Sequence, residues 1–346
     1  MPSEETRSSY RRTLQCVALA AAAVVVAFAG LALALRGHAR SPEALVHRIA
    51  DIKAEAAAAM TSPKLILVSG SGGLFGIRAD MISKRIGMPA VNAGLHGALG
   101  AAYIAYYGAS LARPGDVVLI AIEDPLYTRN ELVTAEAVHL SWARGDRFFE
   151  TLSWPQRFDY FRGVSLSFVW ALVRNSIKPP PLRAGNWRLS MMSAFGDFDT
   201  GPSTMRSARE LTQNRALDEM AFARRDLPYE LDRFEITTGA VRDTILSLEH
   251  KGVRVIATWG ALLDAPLYDR AFGNIRRALP AFYETAGVQF IRPQGEARLS
   301  EAQAFDTVFH ANSDGAVVRT ARLIEALCQQ TDICRETVER DERGLE

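Results

Sequence analysis

The 346-residue chain is 48% apolar and 23% charged, the balance of a globular protein long enough for one large domain or two ordinary ones. A formal net charge of +1 offers no basic surface for a nucleic-acid backbone and no acidic tail, so nucleic acid is excluded as an expected partner. Residues 1–13 read as a short basic tail. Leu14 to Leu35 then runs 22 residues without a charge, roughly 33 Å as a helix, and a transmembrane helix is predicted over 14–36. Ala32-Leu-Ala34 resembles a signal-peptidase site, but a cleaved signal has an apolar core of only about 7–15 residues, so the segment is read as an uncleaved anchor. Arg11-Arg12 lacks the apolar residue that follows a twin-arginine pair, and Cys16 lacks the small residues preceding a lipidated cysteine. Arg7, Arg11 and Arg12 before the span nearly balance Arg36 and Arg40 after it. A short tail ahead of a long domain nevertheless favours the tail inside, giving a single-pass protein of the bacterial inner membrane with its main domain in the periplasm.

Residues 37–62 are Ala-rich with Leu45, Ile49 and Ile52 at helical spacing, and read as a helical linker from the membrane to a domain at 63–346. The apolar run 65–68 ends in Ser-Gly and reads as a strand buried on both faces. A helix over Ile77–Ile86, a short strand in 89–94 and a helix through Tyr103 and Ala109 follow. The Pro114-Gly115 turn opens a third strand at 116–122. After an interruption at about 126–228 the alternation resumes: a helix near Leu231–His250, a strand at 253–259, a helix over Ile275–Thr285, a strand at 288–291 and a last helix from about Asp314 to Cys328. This rhythm predicts an α/β fold with a doubly wound, mainly parallel five-stranded sheet. The interruption is rich in aromatics on mostly helical spacing, including Trp142, Phe148, Trp154, Phe158, Phe161, Phe168 and Trp170. It reads as a mostly helical insertion forming part of the site wall or a cap, because it leaves the sheet after a strand's carboxyl end. Cys328 and Cys334 are close enough to bridge if the last helix ends between them, with two unpaired thiols as the equal alternative.

The stretch Val68-Ser-Gly-Ser-Gly-Gly-Leu-Phe-Gly-Ile77 admits two readings. A dinucleotide loop needs G-x-G-x-x-G and an acid closing the second strand; here the third glycine comes one place late at Gly76, and Val91-Asn92 ends its strand without a carboxylate. A Walker loop fails for want of G-K-[ST]. A serine nucleophile at Ser71, with Ser69 as the fallback, needs a histidine, an acid to orient it and N–H donors for an oxyanion. The run 304–315 supplies Asp306 and His310 together, just ahead of the final helix.

In this arrangement the chain resembles the SGNH (GDSL-like) hydrolase superfamily, especially its membrane-anchored branch associated with surface-polysaccharide acylation. Ser69-Gly70-Ser71-Gly72-Gly73 matches the first block, with Ser71 in the nucleophile's place. Val91-Asn92-Ala93-Gly94-Leu95-His96-Gly97 matches the second, where the resemblance implies that Gly94 N–H joins Ser71 N–H in the oxyanion hole. Asp306 and His310 stand for the acid and base of the last block. The chain departs from the pattern in three places: Ala121-Ile-Glu-Asp-Pro125 replaces the block carrying a third oxyanion donor, the acid and base are one residue further apart than D-x-x-H, and GDS is altered to Ser69-Gly70-Ser71. Asn92 is a candidate substrate contact from block position alone, with hydrogen bonding to neighbouring loops as its alternative, and His96, beside the presumed oxyanion loop, is a candidate substrate contact or a packing residue.

The resemblance implies an anchored serine esterase or O-acetyltransferase acting on acyl esters of a cell-envelope or exported polysaccharide, needing no cofactor and no metal, with a membrane-bound acyltransferase as a candidate partner. The alternative is a catalytically silent SGNH-like scaffold or glycan-binding component of an export or modification assembly.

Overall fold

A computed structural model of the protein describes residues 4–38, 41–128, 133–184, 187–224 and 231–334. Arg40, the first three residues of the tail and the C-terminal end of the 63–346 segment lie outside the described residues. The chain divides into two compact units, one made of 1–44 with 138–181 and the other of 45–137 with 182–346.

The larger unit is an α/β layer structure. Its strands are β1 (Leu65–Val68), β2 (Ala90–Asn92), β3 (Val117–Ile120), β4 (Arg254–Ala257) and β5 (Gln289–Phe290), all parallel, in the order β2-β1-β3-β4-β5. Every residue of β1, β2 and β3 is buried, as continuous apolar runs covered on both faces require. On one face Leu65, Leu67, Val117, Leu119 and Ile256 pack with Ile82 and Ile86 and with Leu323 and Leu327. These helical residues belong to the helices here designated α4 (Ala79–Ile86) and α12 (Ser313–Gln330). On the other face lie α5 (Gly100–Leu111) and α10 (Asp232–His250), packed on β1 and β4 respectively and on each other. Val68 presses so closely on α5 that a Cβ at Gly108 would overlap its side chain. Helices on both faces make the sheet doubly wound, as the alternation predicts, and the order reverses between β1 and β3, where such sheets open a crevice at their carboxyl ends.

Three of the remaining helices belong to this unit or begin at its boundary: α2 (Ala44–Ala59), α9 (Met205–Phe222) and α11 (Pro266–Thr285). The expected linker is in fact largely part of the α/β unit. Ile49 and Ala50 of α2 are buried, and Tyr107 Oη donates to Ala50 O at 2.6 Å. The end of α12 is tied down by a disulfide between Cys328 and Cys334, Cα atoms 5.2 Å apart. The expected insertion is not one body: 182–224 stays with the sheet, whereas 138–181 joins the N-terminal helix.

The smaller unit is helical: α1 (Glu4–Leu35), most of α6 (Ala135–Arg144), α7 (Trp154–Gly163) and α8 (Leu166–Ile177). The apolar stretch Ser8–Leu35 of α1 is long and apolar enough to cross a membrane. Its end is built into the unit: Ala32 is buried, Trp142 Nε1 donates to Ala32 O at 3.0 Å, Gly37 N–H to Trp142 O at 3.1 Å and Arg36 Nη2 to Asp146 O at 2.8 Å.

Candidate active site

The loop after β1 turns straight into α3 (Ser71–Gly76), a six-residue helix with three glycines. Such a segment has poor intrinsic helix propensity, and partners from other elements hold it. Glu123, just beyond β3, is buried and accepts from Gly70 N–H through Oε2 at 3.0 Å and from Gly72 N–H through Oε1. Arg319 of α12, also buried, donates from Nη1 to Gly72 O at 2.9 Å and from Nη2 to Trp259 O at 3.4 Å. Burial pushes the Glu123 carboxyl up, against the pull of the two amides and of nearby His310. Burial lowers Arg319 to about 10, which leaves it charged at neutral pH. A carboxylate therefore already fills the glycine cradle, and the amides that a dinucleotide phosphate would need are spent.

Ser71 opens α3 and is half-buried. Its Oγ makes no hydrogen bond among the described residues, to His310 or to any other. A Cβ on Gly97 would lie 3.8 Å from Ser71 Oγ, which sets the 94–97 loop beside the serine.

The acid and base meet. Phe305 N–H donates to His310 O at 2.9 Å and a bridge joins Ala304 to Ala311, so 305–310 closes as a tight loop. Asp306 Oδ1 and His310 Nδ1 are 2.6 Å apart across it, so the extra residue relative to D-x-x-H is taken up by the turn. With Nδ1–H donating to the carboxylate, Nε2 is the ring's basic nitrogen. This loop runs against the start of α3: a Cβ on Gly72 would lie 3.1 Å from Phe309 O, and the Phe75 ring, one helical turn from Ser71, has its centroid 4.4 Å from that of His310.

Several expectations change. Gly94 N–H does not face an open oxyanion site, because it donates to Asn92 Oδ1 at 2.9 Å. Asn92 is not a substrate contact: it is buried, and its Nδ2 is used on Gly73 O at 3.0 Å and Ile77 O at 2.8 Å, which stitches the two loops together. Ser69 is no fallback nucleophile, since its hydroxyl is buried, donates to Gly70 O at 3.0 Å and is packed beneath Gly73 and Gly94. Asp124 is paired with Arg276 at 2.6 Å in the interior. His96 is half-buried; its Nδ1 accepts from Ala98 N–H at 3.2 Å and its ring lies 5.4 Å from Trp187.

Trp187 and Arg319 are site residues that the sequence did not single out, and Glu123 is one it offered only as lining or capping the pocket, without a catalytic role. Trp187 comes from the short antiparallel ribbon Arg183–Ala184/Trp187–Arg188 and reaches Phe75, His96 and His310, with centroids 4.7, 5.4 and 6.0 Å away. The available signals were an acid directly following a strand at the switch point, and an arginine on the apolar face of α12 among Ala316, Thr320 and Leu323. The ribbon gives no comparable signal. Comparison of the chain with protein-family models, with curated proteins and with solved structures finds no match.

Proposed function

We propose that the protein is a membrane-anchored serine esterase or O-acetyltransferase of SGNH type, acting on acyl esters of a cell-envelope or exported polysaccharide at the periplasmic side of a bacterial inner membrane. The observation that carries the reading is the Asp306–His310 pair, 2.6 Å apart, on a loop lying against the first turn of the helix that begins with Ser71. In this mechanism Asp306 fixes the ring through Nδ1–H, and Nε2 takes the Ser71 proton as Oγ attacks the ester carbonyl. Ser71 N–H, which lies outside the Glu123 pairing, holds the oxyanion. His310 returns the proton to the departing alcohol, and water or a sugar hydroxyl then releases the acyl group from Ser71. The transferase version pairs with a membrane-bound acyl donor.

A catalytically silent scaffold is the second reading. It is favoured by the buried Glu123 carboxylate at the loop, by the engaged Gly94 N–H and by the absence of a Ser71–His310 hydrogen bond. The full chain in detergent, assayed with an aryl acetate and with a fluorophosphonate label, separates the two. The enzyme reading expects Ser71→Ala to abolish turnover and labelling, with Asp306→Asn reducing turnover by up to about 10⁴-fold. Equal turnover with and without Ser71 overturns the nucleophile. Failure of the native chain to cleave the ester or take the label supports the scaffold.

A further inference from the structure

In the smaller unit, α7 and α8 expose an unusual set of side chains. Along α7, Trp154, Phe158 and Phe161 are 81%, 66% and 54% exposed. They recur at i, i+4 and i+7, one face of a helix. Along α8, Leu166, Trp170 and Ile177 are 73%, 67% and 80% exposed and lie at i, i+4 and i+11. The opposite face of α8 is also apolar, with Phe168, Val169 and Leu172 buried in the unit. Each large aromatic side chain offers roughly 150–250 Å². Four of them, more than half exposed on two helices of one unit, are far more than the single scattered apolar side chains of an ordinary surface and signal an interaction surface.

What covers the patch follows from its neighbour. Residues 8–27 of α1 are exposed throughout, whereas Phe28, Ala32 and Leu35 lose exposure where the helix meets its unit. The helix α8 packs against α1, so it lies beside those last turns. From Phe28 to Leu35 the helix rises about 10 Å. If α1 spans a bilayer, that is the outermost layer of the hydrocarbon and the headgroup boundary above it, where tryptophan rings sit and interfacial helices bury their apolar faces. Arg162, Arg174 and Lys178 are exposed on the same two helices and their flank, suited to lipid phosphates.

We infer that α7 and α8 form a second membrane contact, lying in the interface of the bilayer crossed by α1 with Trp154, Phe158, Phe161, Leu166, Trp170 and Ile177 in contact with lipid. The inference rests on the anchor reading of α1. It deepens that reading, because the anchor becomes a span plus an interfacial helix pair.

The test uses the full chain reconstituted into vesicles of phosphatidylcholine with a minority of phosphatidylglycerol, with and without lipids brominated near the headgroup end of the acyl chains. Trp142, Trp187 and Trp259 are buried and serve as the internal background. The expected result is that the chain floats with the vesicles, that brominated lipid quenches its tryptophan emission, and that most of this quenching is gone in W154F/W170F, which keeps the patch apolar. A chain that floats but is quenched equally in both forms, or not at all, overturns the contact and leaves the anchor standing. In the unquenched case, strong acrylamide quenching places the rings in water and weak quenching places them under another protein. A chain that does not float overturns the anchor and the contact together.

Discussion

Glu123 holds two amides of the glycine loop from inside the protein, and its two oxygens are not interchangeable with the oxygen and nitrogen of an amide. In Glu123→Gln the side-chain NH₂ faces a backbone N–H, so one buried donor loses its acceptor. The expected loss is about 1–3 kcal/mol in chemical unfolding, and an unchanged midpoint would show that the carboxylate is not what holds the loop. At the same scale, Asp306 and His310 were legible as types and as an approximate pair, because two such residues stand just before a helix that returns to the strand edge. Their contact was not legible, since a separation of four normally means a helix face and here arises from a closed loop between Ala304 and Ala311. Gly94 and Asn92 show the converse. Their block position was readable, but nothing in the sequence told that the Asn92 side chain would use the Gly94 amide for itself.

Among elements, the strands of the sheet were readable because chains buried on both faces leave continuous apolar runs. Helix α3 was not, because three glycines in six residues have no helical signature and the helix exists through Glu123 and Arg319. The start of α4 is likewise held from elsewhere: Asp197 Oδ1 and Oδ2 accept from Ala79 and Asp80 N–H at 2.7 and 3.1 Å. Nearby, buried Lys53 Nζ donates to Asn92 O at 2.6 Å and Gly196 O at 2.9 Å. Burial raises Asp197 from 3.8 to about 6 and lowers Lys53 from 10.5 to about 7. The folded state thus binds the Asp197 proton more tightly than the unfolded chain does, and this contribution is full below about pH 3.8 and lost as pH rises through about 6. The Lys53 contribution is full above about pH 10.5 and lost as pH falls through about 7. Stability is therefore expected to pass through a local minimum near pH 6–7, each limb on the order of a few kcal/mol. Urea titrations across this range test it: Asp197→Asn should flatten the acid limb and leave the alkaline one, and an acid limb of unchanged slope would remove Asp197 as its source.

At the scale of the molecule, the apolar run of α1 and the alternation of the sheet were both visible in the sequence, but the division into units was not. Hydrophobic spacing reports which face of an element is buried, not which distant segment buries it, and 138–181 goes to the N-terminal helix rather than to the sheet it interrupts. Because Ala32 is buried and its carbonyl holds Trp142, cutting after Ala34 would sever a folded unit. The expectation is that the purified protein keeps the mass of the uncleaved chain and resists alkaline carbonate extraction from membranes; a mature N-terminus near Leu35 would refute the uncleaved anchor. The same division imposes a schedule on biosynthesis. The first part of the smaller unit ends at residue 44, yet its second part begins only at 138, after β1, β2 and β3 have been made. At about 5–20 residues per second, roughly 5–20 s pass in which α1 waits for its partners while the start of the sheet is translated. The smaller unit is nonetheless complete at residue 181, while β4, β5 and α12 of the larger unit are still to be made, and α8 emerges when α1 is already available to pack with it.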